Sequence, residues 1–158
     1  MRIIVLSDTH RNFRSFHEIV LRHQKEAHLF LHLGDGERDV EDISDLFPDL
    51  PLRHVRGNCD AMSMAPAVDI LEVGGVRILA CHGHTLGVQS GCGRLEEMAR
   101  KSGCSIALYG HTHVADIHYS DGLYLMNPGS PSCPRAGKPS YGVIDILPEG
   151  VFPFLVEL

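Results

Sequence analysis

The sequence predicts an α/β domain, and three observations carry that prediction. Short, continuous apolar runs recur, each ending in glycine or polar residues, as in strands buried on both faces. Segments between them space their apolar residues at helical intervals. Toward the C-terminus, paired runs flank turn residues and read as hairpins. Of the 158 residues, 44% are hydrophobic, and no repeat or low-complexity tract divides them. Residues 1–158 are therefore expected to form a single domain.

Arg2 to Leu6 is the first strand, with Asp8 and His10 just past its carboxyl end. Asn12 is placed to cap a helix, on which Phe13, Phe16, Ile19, Val20 and His23 share one stripe. His17 and His23 fall on helix faces. Leu29 to Leu33 is the second strand, leading into Gly34-Asp35, with His32 inside it as a core or supporting histidine. A second helix follows, with Val40, Ile43 and Leu46 expected inward. Its acidic residues Glu37, Asp39, Glu41, Asp42 and Asp45 are expected on a solvated face. After Pro48 and Pro51, Leu52 to Val55 runs into Gly57-Asn-Cys-Asp60, and residues 61–67 read as a loop bordering a site.

Gly74-Gly75 between Val68–Val73 and Val76–Cys81 is a strong hairpin signal. The second arm ends at His82-Gly-His84. A glycine-rich stretch, 87–93, leads to a helix from about Arg94, with Leu95, Met98 and Ala99 inward and Gly103 ending it. Ile106 to Tyr109 then reaches Gly110-His-Thr-His113. The remainder is expected to be β structure. Val114–Tyr119 pairs with Leu123–Met126, Asn127-Pro-Gly-Ser130 forms a tight loop, and Tyr141–Leu147 with Phe152–Glu157 forms a closing hairpin.

Composition narrows the function. The net charge is −6 and no run of Lys or Arg occurs, so an extended nucleic acid is not an expected partner. No apolar stretch is long enough to span a bilayer, so no membrane is expected either. The five cysteines show no Cys-x-x-Cys spacing, which argues against a zinc ribbon or a disulfide framework. With no charged leader followed by a long apolar segment, a reducing, cytoplasmic setting is expected.

The eleven histidines need a reason. Five strands end in Asp8/His10, Asp35, Asn58, His82 and His111/His113. In α/β sheets ligands bind at the carboxyl ends of strands. Two carboxylates, one amide and four imidazoles suit Mn²⁺, Fe, Zn²⁺ or Ni²⁺ better than Ca²⁺ or Mg²⁺. Seven groups are too many for one tetrahedral ion and fit two ions sharing a carboxylate. Two divalent ions against Asp8 and Asp35 leave a net positive pocket inside an acidic protein. Such a pocket attracts a phosphate and acidifies a water that serves as nucleophile, so no Ser, Cys or Lys nucleophile is needed.

The series Asp8-x-His10, Gly34-Asp35, Gly57-Asn58, His82-Gly-His84 and Gly110-His-Thr-His113 resembles the calcineurin-like metallophosphoesterase superfamily. Gly57-Asn-Cys-Asp60 and Asn127-Pro-Gly-Ser130 resemble its small, single-domain phosphodiesterase branch. The resemblance runs from residue 3 to about residue 147. It implies two mixed β-sheets packed face to face with flanking helices, a four-layer sandwich. It also implies that Asp8, His10 and His113 hold one metal, that Asn58, His82 and His111 hold a second, and that Asp35 bridges them. Manganese is the metal implied, and a small phosphodiester the substrate; homo-oligomers are common among such proteins.

One position departs from the superfamily pattern. Many members carry a histidine directly after the metal-binding asparagine, where this chain has Cys59. A thiol is a poor cationic contact, so weak protonation of leaving groups is expected. Asp60 and His84 are adjacent substitutes by sequence alone. Arg135 reads as a surface arginine, with contact to a phosphate as the alternative; His28, His54 and His118 have no context that marks them, and Cys81 reads as a small buried residue. Two alternatives stand beside the phosphodiesterase. One is a phosphomonoesterase or small-substrate nuclease on the same metals. The other is a non-catalytic binding scaffold like the retromer subunit that shares this fold.

Overall fold

In the computed structural model, which describes residues 1–158, the first apolar run is strand β1 (Arg2–Leu6), with Ile3 to Leu6 fully buried. The remaining strands are β2 (Leu29–His32), β3 (Leu52–His54), β4 (Val68–Val73), β5 (Val76–Cys81), β6 (Ile106–Leu108), β7 (Ala115–Ser120), β8 (Leu123–Pro128), β9 (Ser140–Leu147) and β10 (Gly150–Glu157). Three α-helices, α1 (Phe13–His23), α2 (Glu37–Leu46) and α3 (Gly93–Lys101), and two 3-10 turns at His84–Leu86 and Val88–Ser90 complete the elements.

The strands form two mixed five-stranded sheets, ordered β10-β9-β1-β2-β3 and β4-β5-β6-β8-β7. Side chains alternate across a strand, which explains why β1 must be apolar throughout. Ile3 and Val5 join Leu31, Ile78, Ile106 and Met126 in the layer between the sheets. Ile4 and Leu6 face the other way, onto Phe16, Ile19 and Val20 of α1 and Val40 and Ile43 of α2. On the far sheet, Leu79 and Ala107 meet Leu95 and Ala99 of α3. Helices thus cover both outer faces and complete the four layers the resemblance implies.

Local chemistry matches the boundaries. The Asn12 side chain accepts the Ser15 N–H at 3.1 Å and caps α1. Gly74-Gly75 turns the β4–β5 hairpin, with Val73 opposite Val76. Three expectations fail. Leu46 is 53% exposed, because α2 is short and only its middle reaches the sheet. Asp39 is buried, turned toward the loop after β1 instead of solvent. Asn127 and Pro128 are the end of β8, paired with Asp116 and Ala115, so the tight turn begins only at Gly129.

Candidate metal centre

β1, β2 and β3 run parallel in one sheet, and β5 and β6 run parallel in the other. Their carboxyl ends meet at one edge of the sandwich. Main-chain bonds tie these ends together: Asp8 N–H to the Gly34 carbonyl, His10 N–H to that of Asp35, and Gly110 N–H to that of His82, each 3.0 Å. The sheets approach closely here. A Cβ on Gly110 would lie 1.9 Å from Ser7 Oγ of the facing sheet, and within one sheet a Cβ on Gly34 would lie 2.5 Å from the Gly57 nitrogen. Those contacts are the reason glycine precedes the functional residue at these strand ends.

Six of the seven sequence-predicted residues lie in one continuous cluster by direct side-chain contact. Asp8 Oδ1 is at the middle, 3.3 Å from His113 Nε2, 3.8 Å from His10 Nε2 and 3.9 Å from His82 Nε2. Asp35 Oδ2 is 3.5 Å from His82 Nε2 and 3.9 Å from His10 Nε2. Asn58 Oδ1 is 3.1 Å from His82 Nε2. The seventh, His111, joins through its ring, edge-on to His82 with centroids 5.1 Å apart, and its N–H donates to Asp8 Oδ2 at 3.0 Å. Two ligand-competent triads share Asp8: one with His10 and His113, the other with Asp35 and His82.

The supporting groups fix which atoms face inward. His82 Nδ1 donates to the Leu33 carbonyl across the two sheets at 2.8 Å, and His113 Nδ1 donates to the Cys133 carbonyl at 2.7 Å. Both bonds leave Nε2 as the lone-pair atom aimed at the cluster, as in metal-binding histidines. His82 Nε2 then faces Asn58 Oδ1, acceptor against acceptor, and His10 Nε2 faces His113 Nε2 at 3.1 Å. A proton or a cation must lie between such pairs. Asp8 Oδ1 is fully buried with no hydrogen-bond partner. An orphaned carboxylate oxygen ringed by three imidazole nitrogens fits a divalent cation.

Titration behaviour follows from these contacts. Burial opposes the charge on Asp8, but the adjacent His113 and His82 imidazoles, cationic when protonated, and the Ser7 Oγ–H override it and hold its carboxyl below the usual range. Asp35 is likewise disfavoured by burial yet pulled down by His82 and by the Cys59 N–H, which donates to Oδ1 at 2.7 Å. The Asp8 carboxylate, 3.3 Å away, raises His113, whereas burial and the neighbouring His82 lower His111. His82 is raised on balance, burial working against Asp35 and Asp8. The Cys59 thiol is exposed at the rim and is pushed up to about 11 by local desolvation and by Asp35.

Several residues at the site carry no signal, or a weak one, in the sequence. Asp60 reaches back to α2, its Oδ2 accepting from Asp35 N–H (2.7 Å) and Gly57 N–H (2.8 Å), its Oδ1 from Gly36 N–H (3.2 Å) and Glu37 N–H (3.1 Å). It is a brace for two ligand loops and is committed to that task. Asp39 is a second brace: it accepts Thr9 Oγ1–H at 2.5 Å and Arg11 N–H at 3.0 Å. Thr9 in turn meets Nε2 of fully buried His32 at 3.1 Å, confirming His32 as a supporting residue. Asn127 Nδ2 donates to the Gly110 carbonyl and Thr112 Oγ1, and Ser130 Oγ donates to the Asp8 carbonyl. The late Asn-Pro-Gly-Ser motif therefore buttresses both ligand loops. The His84 ring lies tilted beside that of His82, with centroids 5.3 Å apart, and Arg135 is exposed.

Comparison with known proteins agrees with this geometry. Residues 1–148 match the calcineurin-like phosphoesterase superfamily domain. The chain is 30% identical over 148 residues to the probable metallophosphoesterase YsnB of Bacillus subtilis, covering 92% of this chain and 85% of that protein. It is 32% identical over 101 residues to the phosphodiesterase YfcE of Escherichia coli K12, covering 58% and 50%. Among solved structures, a predicted phosphoesterase from Streptococcus pneumoniae TIGR4 superimposes with a TM-score of 0.78 at 26% identity, covering 98% and 97%. Vps29 from Entamoeba histolytica, complexed with zinc, shares the fold at a TM-score of 0.72 and 21% identity, covering 99% and 98%.

Proposed function

Because the chain belongs to the calcineurin-like phosphoesterase superfamily, a family of metal-dependent hydrolases, we propose that it is a phosphodiesterase working on two divalent cations. The observation that carries this reading is the buried, partnerless Asp8 Oδ1 among three imidazole nitrogens. Asp8, His10 and His113 would hold one ion, Asn58, His82 and His111 the other, and Asp35 would bridge them. Manganese suits this mixed oxygen and nitrogen set, as do Ni²⁺, Fe and Zn²⁺. When bound, the cations supply the positive charge that draws in a phosphate and acidifies a water.

The chain's own contribution is placement and exclusion. His82 and His113 are held by main-chain carbonyls from Leu33 and Cys133, so their lone pairs need no reorientation. Asp8 stays ionised despite burial. In the overall reaction a water oxygen bonds to phosphorus, the P–O bond to the leaving group breaks, and a proton ends on the departing oxygen. At the position after Asn58 no strong proton donor is present. Cys59, where many relatives carry histidine, offers an uncharged thiol. Activated leaving groups such as p-nitrophenolate should therefore be favoured.

We take residues 1–158 as one domain acting on a small phosphodiester. Five free thiols support a reducing, cytoplasmic setting, and no helix is long and apolar enough to cross a membrane. The test is hydrolysis of bis(p-nitrophenyl) phosphate, with Mn²⁺ and after chelation. Turnover restored by Mn²⁺ is the expected result. No turnover with Mn²⁺, Ni²⁺, Fe²⁺ or Zn²⁺ would overturn the reading and favour a binding scaffold. Metal binding by itself does not separate the two, since a Vps29 structure also holds zinc.

A further inference from the structure

A groove of about 670 Å³ opens from His10, Asp35 and Cys59, away from the cluster, and two arginines, Arg11 and Arg38, lie on its wall. Both are exposed. The arginine ion pairs of this chain belong to Arg2, Arg22, Arg53 and Arg100. Arg11 and Arg38 make none, and neither guanidinium donates a hydrogen bond within the protein. An arginine fork left free beside a phosphate-binding centre is suited to a second oxyanion.

The acidic residues on the same wall do not cancel this pair. Asp35 belongs to the cluster. Asp60 is occupied by four backbone N–H groups. Glu37 Oε1 lies 3.9 Å from His54 Nε2. That distance is too long for a hydrogen bond, but neither Glu37 nor Glu41 lies within 4.0 Å of either guanidinium. Arg11 is also placed with unusual firmness for a surface residue. Its backbone has φ +64°, and its N–H is held by the buried Asp39 carboxylate. The groove is also lined by Met62 and Met64, 92% and 95% exposed, which offer pliable apolar surface.

We propose that this groove is a substrate subsite, in which Arg11 and Arg38 bind a second anionic group on one arm of the phosphodiester while Met62 and Met64 pack against the organic part of that arm. The substrate class is then a diester carrying a further phosphate, as in a phosphorylated nucleotide ester. This rests on the phosphodiesterase reading above and specifies which diesters that centre selects.

The test compares two substrates with the same leaving group: thymidine 5′-(p-nitrophenyl phosphate), with and without a 3′-phosphate. The Mn²⁺-loaded protein should favour the 3′-phosphorylated diester by roughly tenfold in kcat/KM at low salt, the scale of one charge-assisted contact. The preference should shrink as salt rises. In the Arg11→Ala/Arg38→Ala double variant it should fall below twofold, with bis(p-nitrophenyl) phosphate turnover unchanged within twofold. Equal kcat/KM for both substrates in the parent protein, or an undiminished preference in the double variant, overturns the subsite. If no diester is turned over, the phosphodiesterase reading fails and calorimetry decides the subsite separately. Thymidine 3′,5′-bisphosphate should then bind roughly tenfold more tightly than thymidine 5′-phosphate, and lose that advantage in the double variant. Equal affinity refutes it.

Discussion

Replacing Asp60 by alanine removes one carboxylate and orphans four backbone N–H groups at once. Two of these, on Gly36 and Glu37, sit at the start of α2, where water can replace the lost acceptor. Losing a helix cap of this kind costs about 1 kcal/mol. The other two belong to buried Asp35 and Gly57. A buried donor left unpaired costs about 1–3 kcal/mol each. Allowing for partial rehydration, the sum is about 4 kcal/mol. For a chain of this size that corresponds to a drop of about 8–16 °C in Tm. Asp60→Asn keeps one accepting oxygen but presents an N–H₂ to the other pair of donors, so it should recover no more than half. Calorimetric or circular-dichroism melting in the presence of chelator reads the effect without metal stabilisation. Because the same carboxylate braces the loops of Asp35 and Asn58, Mn²⁺ affinity by titration calorimetry should fall as well. A melting point within 2 °C of the parent for Asp60→Ala would refute the bracing role.

Three further outcomes follow from the contacts described. Asp35→Asn should abolish both metal uptake and turnover, measured by metal analysis after desalting and by diester hydrolysis; near-normal turnover would remove Asp35 from its bridging place. Cys59→His should raise turnover most for diesters with poor leaving groups, flattening a plot of log kcat against leaving-group pKa. A parent enzyme whose plot is already flat contradicts that expectation. His32 gives a pH dependence: burial depresses its folded value to about 4 from an ordinary 6.5. The unfolded chain then binds more protons between those values, so the contribution is fully present above pH 6.5 and is lost as pH falls through about 4. The full loss is about 3 kcal/mol. Denaturant unfolding of the metal-free protein at pH 7 and pH 4.5 should show a part of it that disappears in His32→Leu.

Much of the fold was readable because its strands are apolar on both faces. β2 and β6 lead into Gly34 and Gly110 and β1 into Ser7-Asp8, and between helices and the facing sheet the buried residues of these strands include only one polar side chain, His32. The Gly74-Gly75 hairpin was readable for a similarly local reason. The two-sheet partition was not, since only tertiary contact places β8 between β6 and β7. Without that pairing, Asn127 looks like part of a turn instead of the last buried pair of a strand. Asp39 was hidden among four other acids of one helix, because helical spacing does not say which carboxylate meets Thr9. Period alone places Leu46 inward, although the sheet does not extend under the last turn of α2. The seven candidate ligands were legible as strand-end residues. Their mutual distances were not, because they depend on how two separate sheets abut.

Backbone conformation adds what no residue pattern contains. Seven non-glycine residues have positive φ, and six of them, Asp8, His10, Arg11, Asp35, His111 and His113, are at this site. Left-handed backbone costs roughly 1–2 kcal/mol per residue, somewhat less for Asp and His. Strain of that size persists only where the surroundings over-determine it. Here the N–H groups of five of the six are bound by residues from other segments, strand-end loops or α2: Asp8 to Gly34, His10 to Asp35, Arg11 to Asp39, Asp35 to Asp60 and His111 to Asp8. The Asp8–His111 bond and the His82–Leu33 bond both cross between the sheets. The loops therefore lock one another before any cation or substrate arrives, and little of the binding free energy goes into ordering them. The same interlocking makes the braces vulnerable: a change at Asp60 or Asp39, neither of them among the seven candidate ligands, alters loops that belong to both metal positions.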